Sequence, residues 1–380
     1  MEITKFAVPE IIFGNGSIKH LAPCARRLGA QRVLLVSDSG LEKVGWVDVV
    51  TRILAEDGLE CVYFNEVDSN PRDWQVHKGA KIYMENQADV IIGLGGGSPI
   101  DAAKGIGTLV GNGGKISDYE GANRIQHPLP PMIFIPSTGG SGSDVTQYSI
   151  ITDVARQVKM SIISRTLVPN ISIIDPSLLV TMTRELIIAS GVDAFSHAIE
   201  SYLSKLASPF TENQALMAMR LILENLGDAI QTKNPKALEK LSIASTAAGM
   251  SFSNAGLGIT HALAHSLGGR FDVMHGMVHP VLLPVVMRYN IPACTEKLAN
   301  ISRTIMKHDK GTSEELAHWT CDHLTNLFAG LDVPVRLREL IPDKSSLDQI
   351  CRMALYDACA VTNPRYAAWS DLMSICRESW

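Results

Sequence analysis

The stretch Asp89–Gly107, which reads DVIIGLGGGSPIDAAKGIG, decides the fold of the first half of the chain. It begins with a continuous apolar run (89–94), of the kind that is buried on both faces of a parallel sheet. The glycines that follow leave this strand and open a helix, whose N-terminus presents free N–H groups to an anion. We therefore expect a phosphate-binding loop at 95–98, with Ser98 capping the helix and Pro99 in its first turn.

A second loop, PSTGGSGSD at 136–144, also follows an apolar run and is rich in glycine and hydroxyl groups. Two such loops at neighbouring strand ends indicate a dinucleotide rather than a lone anion. The first loop lacks the GxGxxG spacing, so an ordinary tight turn before a capped helix is the alternative interpretation. Asp38 ends the first apolar strand, where a carboxylate can bind a ribose diol and repel a 2′-phosphate. This favours NAD over NADP, unless Asp38 is only a helix cap or a solvated loop acid.

Strand and helix signals alternate in the first half, which is typical of a parallel sheet with right-handed crossovers. The predicted strands are 32–37, 61–64, 89–94, 132–135 and 171–174, and the predicted helices are 47–56 and 74–86. Strand signals then fade, and helices are predicted at 183–206, 211–230, 235–254, 259–268, 279–289, 293–308, 313–330 and 346–359. We expect an α/β dinucleotide-binding domain at 1–180 and an all-α domain at 181–380, with the ligand in the groove between them.

Metal-capable side chains are concentrated in two segments, GVDAFSHAIE at 191–200 and HALAHSLGGRFDVMHG at 261–276. Each contains a pair four residues apart, which share a face on a helix, so two such helices can close around one divalent ion. We expect Gly268–Gly269 to end the second helix and a short loop to reach the last histidine. The side chains concerned are Asp193, His197, His261, His265 and His275.

A single histidine in a helix is most often a packed core residue or a surface residue. The clustering and the apolar neighbourhood favour a metal site instead, because a buried ionisable group is costly unless it is paired or metal-bound. No lysine or arginine flanks Asp193 closely in sequence to serve as its partner.

The composition excludes several classes of partner. The 380 residues are 46% hydrophobic and 19% charged with a net charge of −5, which argues against nucleic acid and anionic membranes. The N-terminal sequence MEITKFAVPEIIFGNG lacks signal-peptide character, and no apolar run approaches the length of a membrane span. Seven cysteines without a CxxC pair are typical of reduced thiols, so we expect a cytoplasmic protein.

With both halves considered, the motifs resemble those of the iron-containing (group III) alcohol dehydrogenases. The resemblance covers essentially the whole chain, from FGNGS at 13–17 through the glycine loops and histidine segments to TNPR at 362–365. It implies a Rossmann-like, dehydroquinate-synthase-like N-terminal domain and a helical metal-binding domain. It also implies an NAD(H)-dependent enzyme, a homo-oligomer (dimer or higher), that interconverts small primary alcohols or diols with aldehydes by hydride transfer.

Matching the family's motifs residue by residue implies a set of site residues. The implied metal ligands are Asp193, His197, His261 and His275. The predicted cofactor-binding residues are Asp38, Asn70, Gly96, Gly97, Ser98, Thr138, Ser141 and Lys159. His265 matches a residue near the nicotinamide and the metal, and its imidazole can relay the released proton, so it is the predicted catalytic residue.

The expected metal is Fe(II), with zinc or nickel as substitutes, because four protein ligands plus a substrate exceed tetrahedral coordination. The chain departs from the family at Asp144, where glutamate is usual, and at His279, where small residues are common. The sequence determines neither whether His279 faces the site nor which alcohol is the substrate.

The pattern leaves three alternatives: a glycerol dehydrogenase-like polyol oxidoreductase, a dehydroquinate synthase, and a non-catalytic sensor of NAD or metal. The pairing of GxDAxxHAIE with HxxxHxxG argues against the first two. An intact ligand set and an intact phosphate loop argue against the third.

Overall fold

The computed structural model describes residues 5–380. Residues 1–4 lie outside the described residues. The predicted first domain and the N-terminal stretch that lacks signal-peptide character both begin there. Among the helices of the described chain, none combines the length and apolarity needed to cross a bilayer.

A parallel sheet forms the centre of the first half, as predicted. The strands in residues 5–380 are β1 (Glu10–Phe13), β2 (Arg32–Val36), β3 (Glu60–Phe64), β4 (Val90–Gly95), β5 (Gly121–Ala122), β6 (Met132–Pro136), β7 (Tyr148–Asp153), β8 (Val158–Ile163) and β9 (Ile171–Ile174). Six of these form the main sheet in the order β1-β9-β6-β4-β2-β3, and every neighbouring pair is parallel. All five predicted strands belong to it, and β1 adds an edge that the sequence did not predict.

Side chains of the central strands enter two separate apolar cores, because successive strand residues point to opposite faces. Leu34 and Ile91 pack in one core, and Val33 and Ile92 pack in the other. The helices of this half are α1 (Leu21–Arg27), α2 (Ser39–Lys43), α3 (Trp46–Glu56), α4 (Asp73–Glu85) and α5 (Gly97–Asn112). Burial on both faces explains why these strands read as continuous apolar runs.

A second, smaller sheet was not predicted. In the described chain β7 and β8 pair antiparallel, and β5 pairs parallel with β8. Residues of β7 alternate between buried and half-buried, as expected for a strand with one covered face. The pair matters for function because β8 carries Lys159 towards the cleft described below.

The second half is helical, as predicted. Its α-helices in the described residues are α6 (Arg184–Leu203), α7 (Pro209–Thr232), α8 (Pro235–Ala255), α9 (Ile259–Phe271), α10 (His279–Thr304), α11 (Ser313–Ala329), α12 (Leu347–Tyr356), α13 (Ala358–Val361) and α14 (Trp369–Glu378). Helix α6 is buried along most of its length and shares an apolar core with α7 and α8. It therefore places Asp193 and His197 in the interior.

Gly268 and Gly269 do not end helix α9, so that prediction is wrong. The helix continues to Phe271 and ends where Asp272 adopts a φ of 54°. The glycines instead allow close contact with β8. A Cβ atom on Gly268 would lie 3.0 Å from the Nζ of Lys159, and one on Gly269 would lie 3.0 Å from the backbone nitrogen of Lys159.

The segments predicted as two helices at 279–289 and 293–308 form the single helix α10, which bends at Cys294. Pro292 lies two residues earlier, and a proline inside a helix removes a hydrogen bond and kinks the helix. The two predicted helices are therefore one continuous helix with a bend, and His279 is its first residue.

Candidate metal centre and cofactor cleft

The metal-capable side chains of α6 and α9 lie together in the protein interior. The Oδ1 atom of Asp193 lies 3.8 Å from the Nε2 atoms of His197, His261 and His275 alike. His279 faces the same cluster, and its Nε2 atom lies 3.0 Å from this carboxylate oxygen. Four imidazoles thus surround one carboxylate oxygen.

Several polar atoms of this cluster have no hydrogen-bond partner among residues 5–380. They include Oδ1 of Asp193, Nε2 of His261, and Nδ1 of His197 and of His275. Such atoms are rare in protein interiors, because each has lost its hydration without replacement. Imidazole nitrogens and carboxylate oxygens are common ligands of divalent transition metals. The cluster therefore fits a metal ion.

The electrostatics of the cluster favour a cation. Burial opposes the charge of Asp193, but the imidazoles around it, His197 foremost, hold its pKa well below the usual range. Burial lowers the pKa of His197 to about 3, so this ring is neutral and a nitrogen lone pair is available. Burial also opposes protonation of His261, yet the nearby carboxylates of Asp193 and Glu200 raise its pKa to about 9. These pKa shifts indicate that a positive charge is favoured within the cluster, and a metal ion supplies such a charge.

Glu200 orients His261, a role that the sequence did not predict. Its Oε2 atom accepts a hydrogen bond from the backbone N–H of Gly258 at 2.9 Å, and Oε1 accepts one from Thr260 at 2.8 Å. Oε2 also lies 2.6 Å from Nδ1 of His261. These contacts leave the Nε2 atom of His261 directed at the cluster. The available signal was the position of Glu200 at the end of GVDAFSHAIE, three residues after His197 and hence on the same helix face.

One cleft of about 690 Å³ joins this cluster to the glycine loops. The predicted cofactor residues that line it are Asp38, Asn70, Gly96, Gly97, Ser98, Thr138, Ser141 and Lys159. The predicted metal and catalytic residues that line it are Asp193, His197, His261, His265 and His275. A ligand in the cleft can therefore touch both groups at once.

The two glycine loops pack closely against each other. A Cβ atom on Gly96 would lie 3.2 Å from Cγ2 of Thr138, and one on Gly97 would lie 3.1 Å from Cβ of Ser141. The prediction that Ser98 caps α5 is wrong, because the cap residue is Gly96 and it makes no side-chain cap. Ser98 lies inside the first turn, where its Oγ accepts a hydrogen bond from the backbone of Asn70. The N–H groups at the start of α5 stay available to an anion.

Lys159 and Asn70 are joined across the cleft, since the Nζ atom donates to Oδ1 of Asn70 at 2.6 Å. Burial lowers the pKa of Lys159 to about 8. On the opposite wall, Oδ1 of Asp38 caps α2 by accepting hydrogen bonds from Gly40 and Leu41. The cap occupies one carboxylate oxygen, and Asp38 still lines the cleft.

His265 lies beside the cluster and has its own carboxylate partner. Its Nδ1 atom lies 2.8 Å from Oδ2 of Asp357, and its ring stacks on that of His275 with centroids 5.3 Å apart. Burial opposes the charge of Asp357, but His265 lowers the pKa of Asp357 below its ordinary value. Asp357 could not be predicted as this partner, because no local spacing connects it with the histidine segment.

Comparison with known proteins identifies the family. Residues 9–176 match the model of iron-containing alcohol dehydrogenase, and residues 187–380 match the C-terminal model of the same family. The chain is 37% identical to the 1,3-propanediol dehydrogenase of Citrobacter freundii (99% of this chain, 98% of the relative) and 34% identical to the NAD-dependent methanol dehydrogenase of Bacillus methanolicus (98% and 99%). A crystal structure of a 1,3-propanediol oxidoreductase matches with a TM-score of 0.96 at 37% identity, covering 100% of both chains. These relatives support NAD and iron as cofactors. The chain therefore belongs to the iron-containing alcohol dehydrogenase family and is an alcohol dehydrogenase, as its sequence predicts.

Proposed function

We propose that this enzyme interconverts small primary alcohols or diols with their aldehydes, using NAD(H). The observation that carries the proposal is the single cleft that joins the glycine loops to the cluster of histidines. The relatives named for 1,3-propanediol and methanol support short substrates. In the oxidative direction the alcohol loses a hydride from its carbinol carbon to the nicotinamide C4 and a proton from its hydroxyl group.

We propose that Asp193, His197, His261 and His275 hold the metal ion. Once bound, a divalent ion acts as a Lewis acid that lowers the pKa of the alcohol or polarises the aldehyde carbonyl. Glu200 fixes the orientation of His261, as carboxylates commonly do for metal-binding histidines.

The cofactor residues proposed from the sequence have distinct tasks. The start of α5 at Gly97 and the loop around Thr138 bind phosphate oxygens through N–H and hydroxyl groups. Asp38 binds the adenosine ribose, and Lys159 binds the nicotinamide ribose, with Asn70 holding the amine in place. The protein thereby orients the nicotinamide, which carries the redox chemistry, towards the histidines.

His265 is the proposed proton acceptor. Its Nδ1 atom is held by Asp357, so Nε2 is the atom left to take a proton from the substrate hydroxyl and release it to solvent. The ring lines the cleft beside His275 and so lies within the region where the substrate reacts. Asp357 stabilises the imidazolium that forms.

Aromatic side chains enclose the substrate end of the cleft. Phe252 stacks on His197 with ring centroids 4.3 Å apart. The ring centroids of Tyr148 and Phe252 lie 5.8 Å apart. Leu257 and Cys359 also line this end. Bulky walls next to the histidines favour a short carbon chain, while hydroxyl groups of a diol can face the polar side.

We further propose the division into a cofactor domain at 1–180 and a metal-binding domain at 181–380. The last strand ends at Ile174 and the first long helix begins at Arg184, and the cleft takes residues from both sides of this division. The homo-oligomeric state and the cytoplasmic location stay predictions from the sequence.

The test is an assay of the Fe(II)-reconstituted protein with NAD and a panel of C1–C5 alcohols, diols and aldehydes, followed by absorbance at 340 nm. We expect turnover with short primary alcohols or diols and none after chelation of the metal. Preference for glycerol over all primary alcohols would indicate the polyol alternative. Binding of NAD and metal without turnover of any compound would indicate a sensor.

A further inference from the structure

His279 is a fully buried histidine whose ring nitrogens make no hydrogen bond within residues 5–380. It begins helix α10, and its exposed fraction is 0%. Neither Nδ1 nor Nε2 finds a hydrogen bond within the described chain. A buried imidazole without any hydrogen bond is destabilising by itself, so a partner that satisfies it is expected.

The ring of His279 is part of the histidine cluster. Its centroid lies 4.4 Å from that of His261 and 4.8 Å from that of His275. One ligand atom from each of Asp193, His261, His275 and His279 can be chosen so that all four lie within 4.8 Å of one another. His279 therefore satisfies the distance requirement for sharing one ion with these three residues.

The contact between His279 and Asp193 is close but is not a hydrogen bond. Nε2 lies 3.0 Å from Oδ1, yet neither atom has a partner with hydrogen-bond geometry within residues 5–380. A separation of 3.0 Å is compatible with two ligands of one ion, because each ligand atom then lies about 2.0–2.2 Å from the ion.

We propose that His279 is an additional metal ligand of this enzyme, binding through Nε2. The inference rests on the metal site of the proposed function and extends it by one residue. Together with the four ligands of the proposed function, one carboxylate and four imidazoles would be available to the ion, which would suit a metal that accepts five or six ligands, such as Fe(II), better than zinc, which prefers four.

The alternative is that His279 is a positioning residue that donates a hydrogen bond to Asp193 after a small ring rotation. The two roles differ in what can replace the imidazole. A glutamine can donate the same hydrogen bond, whereas leucine cannot, and neither provides an imidazole nitrogen.

The test uses the variants His279→Leu and His279→Gln. The matched control is His318→Leu, which replaces an exposed histidine on a helix. Co(II) is titrated into each metal-free protein in competition with a chelator, and the visible absorption of the Co(II) protein is recorded. We expect both His279 variants to bind Co(II) on the order of a hundredfold more weakly and with an altered spectrum, because the coordination number falls. The metal-free His279→Leu protein should unfold at the same or a higher temperature than the metal-free parent, because the unpaired imidazole is gone.

Full restoration of affinity and spectrum by glutamine would overturn the proposal in favour of a positioning role. Unchanged Co(II) binding in both variants, with binding lost in His275→Ala, would remove His279 from the site while leaving the proposed function intact. Absence of Co(II) binding by the parent protein would overturn both. If the His279 variants do not fold, anomalous diffraction from the Co(II)-loaded parent decides: Nε2 of His279 should lie roughly 2.1 Å from the ion, and a separation beyond hydrogen-bond length would refute ligation.

Discussion

The Oε2 atom of Glu200 lies 2.6 Å from Nδ1 of His261, inside the protein. A metal-binding histidine that is held in this way has its tautomer and ring orientation fixed before the ion arrives. We expect Glu200→Gln to weaken metal affinity about ten- to a hundredfold, because the charge that supports His261 is removed. Metal content after dialysis measures the effect. Glu296→Gln, on the exposed face of α10, is the control, and equal metal retention in both variants would refute the role.

His275 differs from the other proposed ligands because its loop, rather than a long helix, positions it. We expect His275→Ala to lose most of the bound metal and nearly all activity, and His261→Ala to do the same. Elemental analysis of the purified variants is the measurement. Full metal occupancy in either variant would remove that residue from the ligand set.

His265 is expected to act on the proton and not on the metal. His265→Ala should keep the metal and the fold but slow turnover, most at low pH, where removal of the alcohol proton is hardest. General-base contributions of about 10²–10⁴-fold set the range, and we expect the smaller end because the metal supplies most of the activation. Asp357→Asn should shift the same acid limb by a smaller amount. Loss of metal from His265→Ala would make it a ligand, and an unchanged pH–rate profile would make it structural.

Asp38 is expected to determine the choice of NAD over NADP. Like charges within a few ångströms are worth on the order of 1–4 kcal/mol at moderate effective dielectric, so a 2′-phosphate next to this carboxylate is disfavoured. Asp38→Gly should relax the preference, but it also removes the cap of α2. Asp38→Asn is the cleaner variant, since an asparagine can still cap the helix while losing the charge. The ratio of kcat/KM for NAD and NADP measures the effect, and equal use of both cofactors by the parent enzyme would contradict it.

Lys104 should make the free energy of unfolding depend on pH in the alkaline range. It is fully buried, donates hydrogen bonds to the carbonyl oxygens of Ser143, Thr146 and Tyr148, and has a pKa lowered by burial to about 8. The unfolded state, with a pKa near 10.5, binds more protons between pH 8 and 10.5, so the free energy of unfolding should rise across this window. The contribution is on the order of 3 kcal/mol.

Denaturant unfolding of the metal-free protein at pH 8 and pH 10 measures this contribution. Lys104→Met should be less stable overall, because three carbonyl groups lose their donor, and should show a smaller rise with pH. Lys81→Met, on the exposed surface of α4, should behave like the parent. An identical pH dependence in Lys104→Met and the parent would contradict the assignment.

The centre of the main sheet could be predicted because β2, β4, β6 and β9 are buried on both faces and so consist of nearly continuous apolar residues. The edge strand β1 escaped prediction because it is defined by its pairing with β9, far along the chain, and not by its own composition. The same holds for β7 and β8, whose mixed polar and apolar residues become strands only through their mutual pairing. The sequence predicts that α9 ends at its two glycines because glycine has a low helix propensity. Helix propensity does not include the close contact with β8, which favours glycine at these two positions.

The candidate metal ligands could be predicted from spacing, since residues four apart on a helix share a face. Asp357 could not, because 92 residues separate it from His265 and only the fold brings them together. The orientation of His279 could not be predicted either. His279 lies one helical turn after His275 in sequence, and this spacing alone does not determine whether its side chain faces Asp193. Local pattern therefore predicts the candidate ligands, and tertiary structure shows which side chains orient them.

The contact of Gly269 with β8 has a consequence for the rate of the reaction. Helix α9 carries His261, a proposed metal ligand, and β8 carries Lys159, a proposed cofactor residue, so we expect the gap between these two elements to influence the geometry of hydride transfer. A methyl group on Gly269 would press on the backbone of β8 and widen that gap. Because a misplacement of about 1 Å can slow an enzyme on the order of a hundredfold, we expect catalytic speed to depend on Gly269, a residue that does not line the cleft.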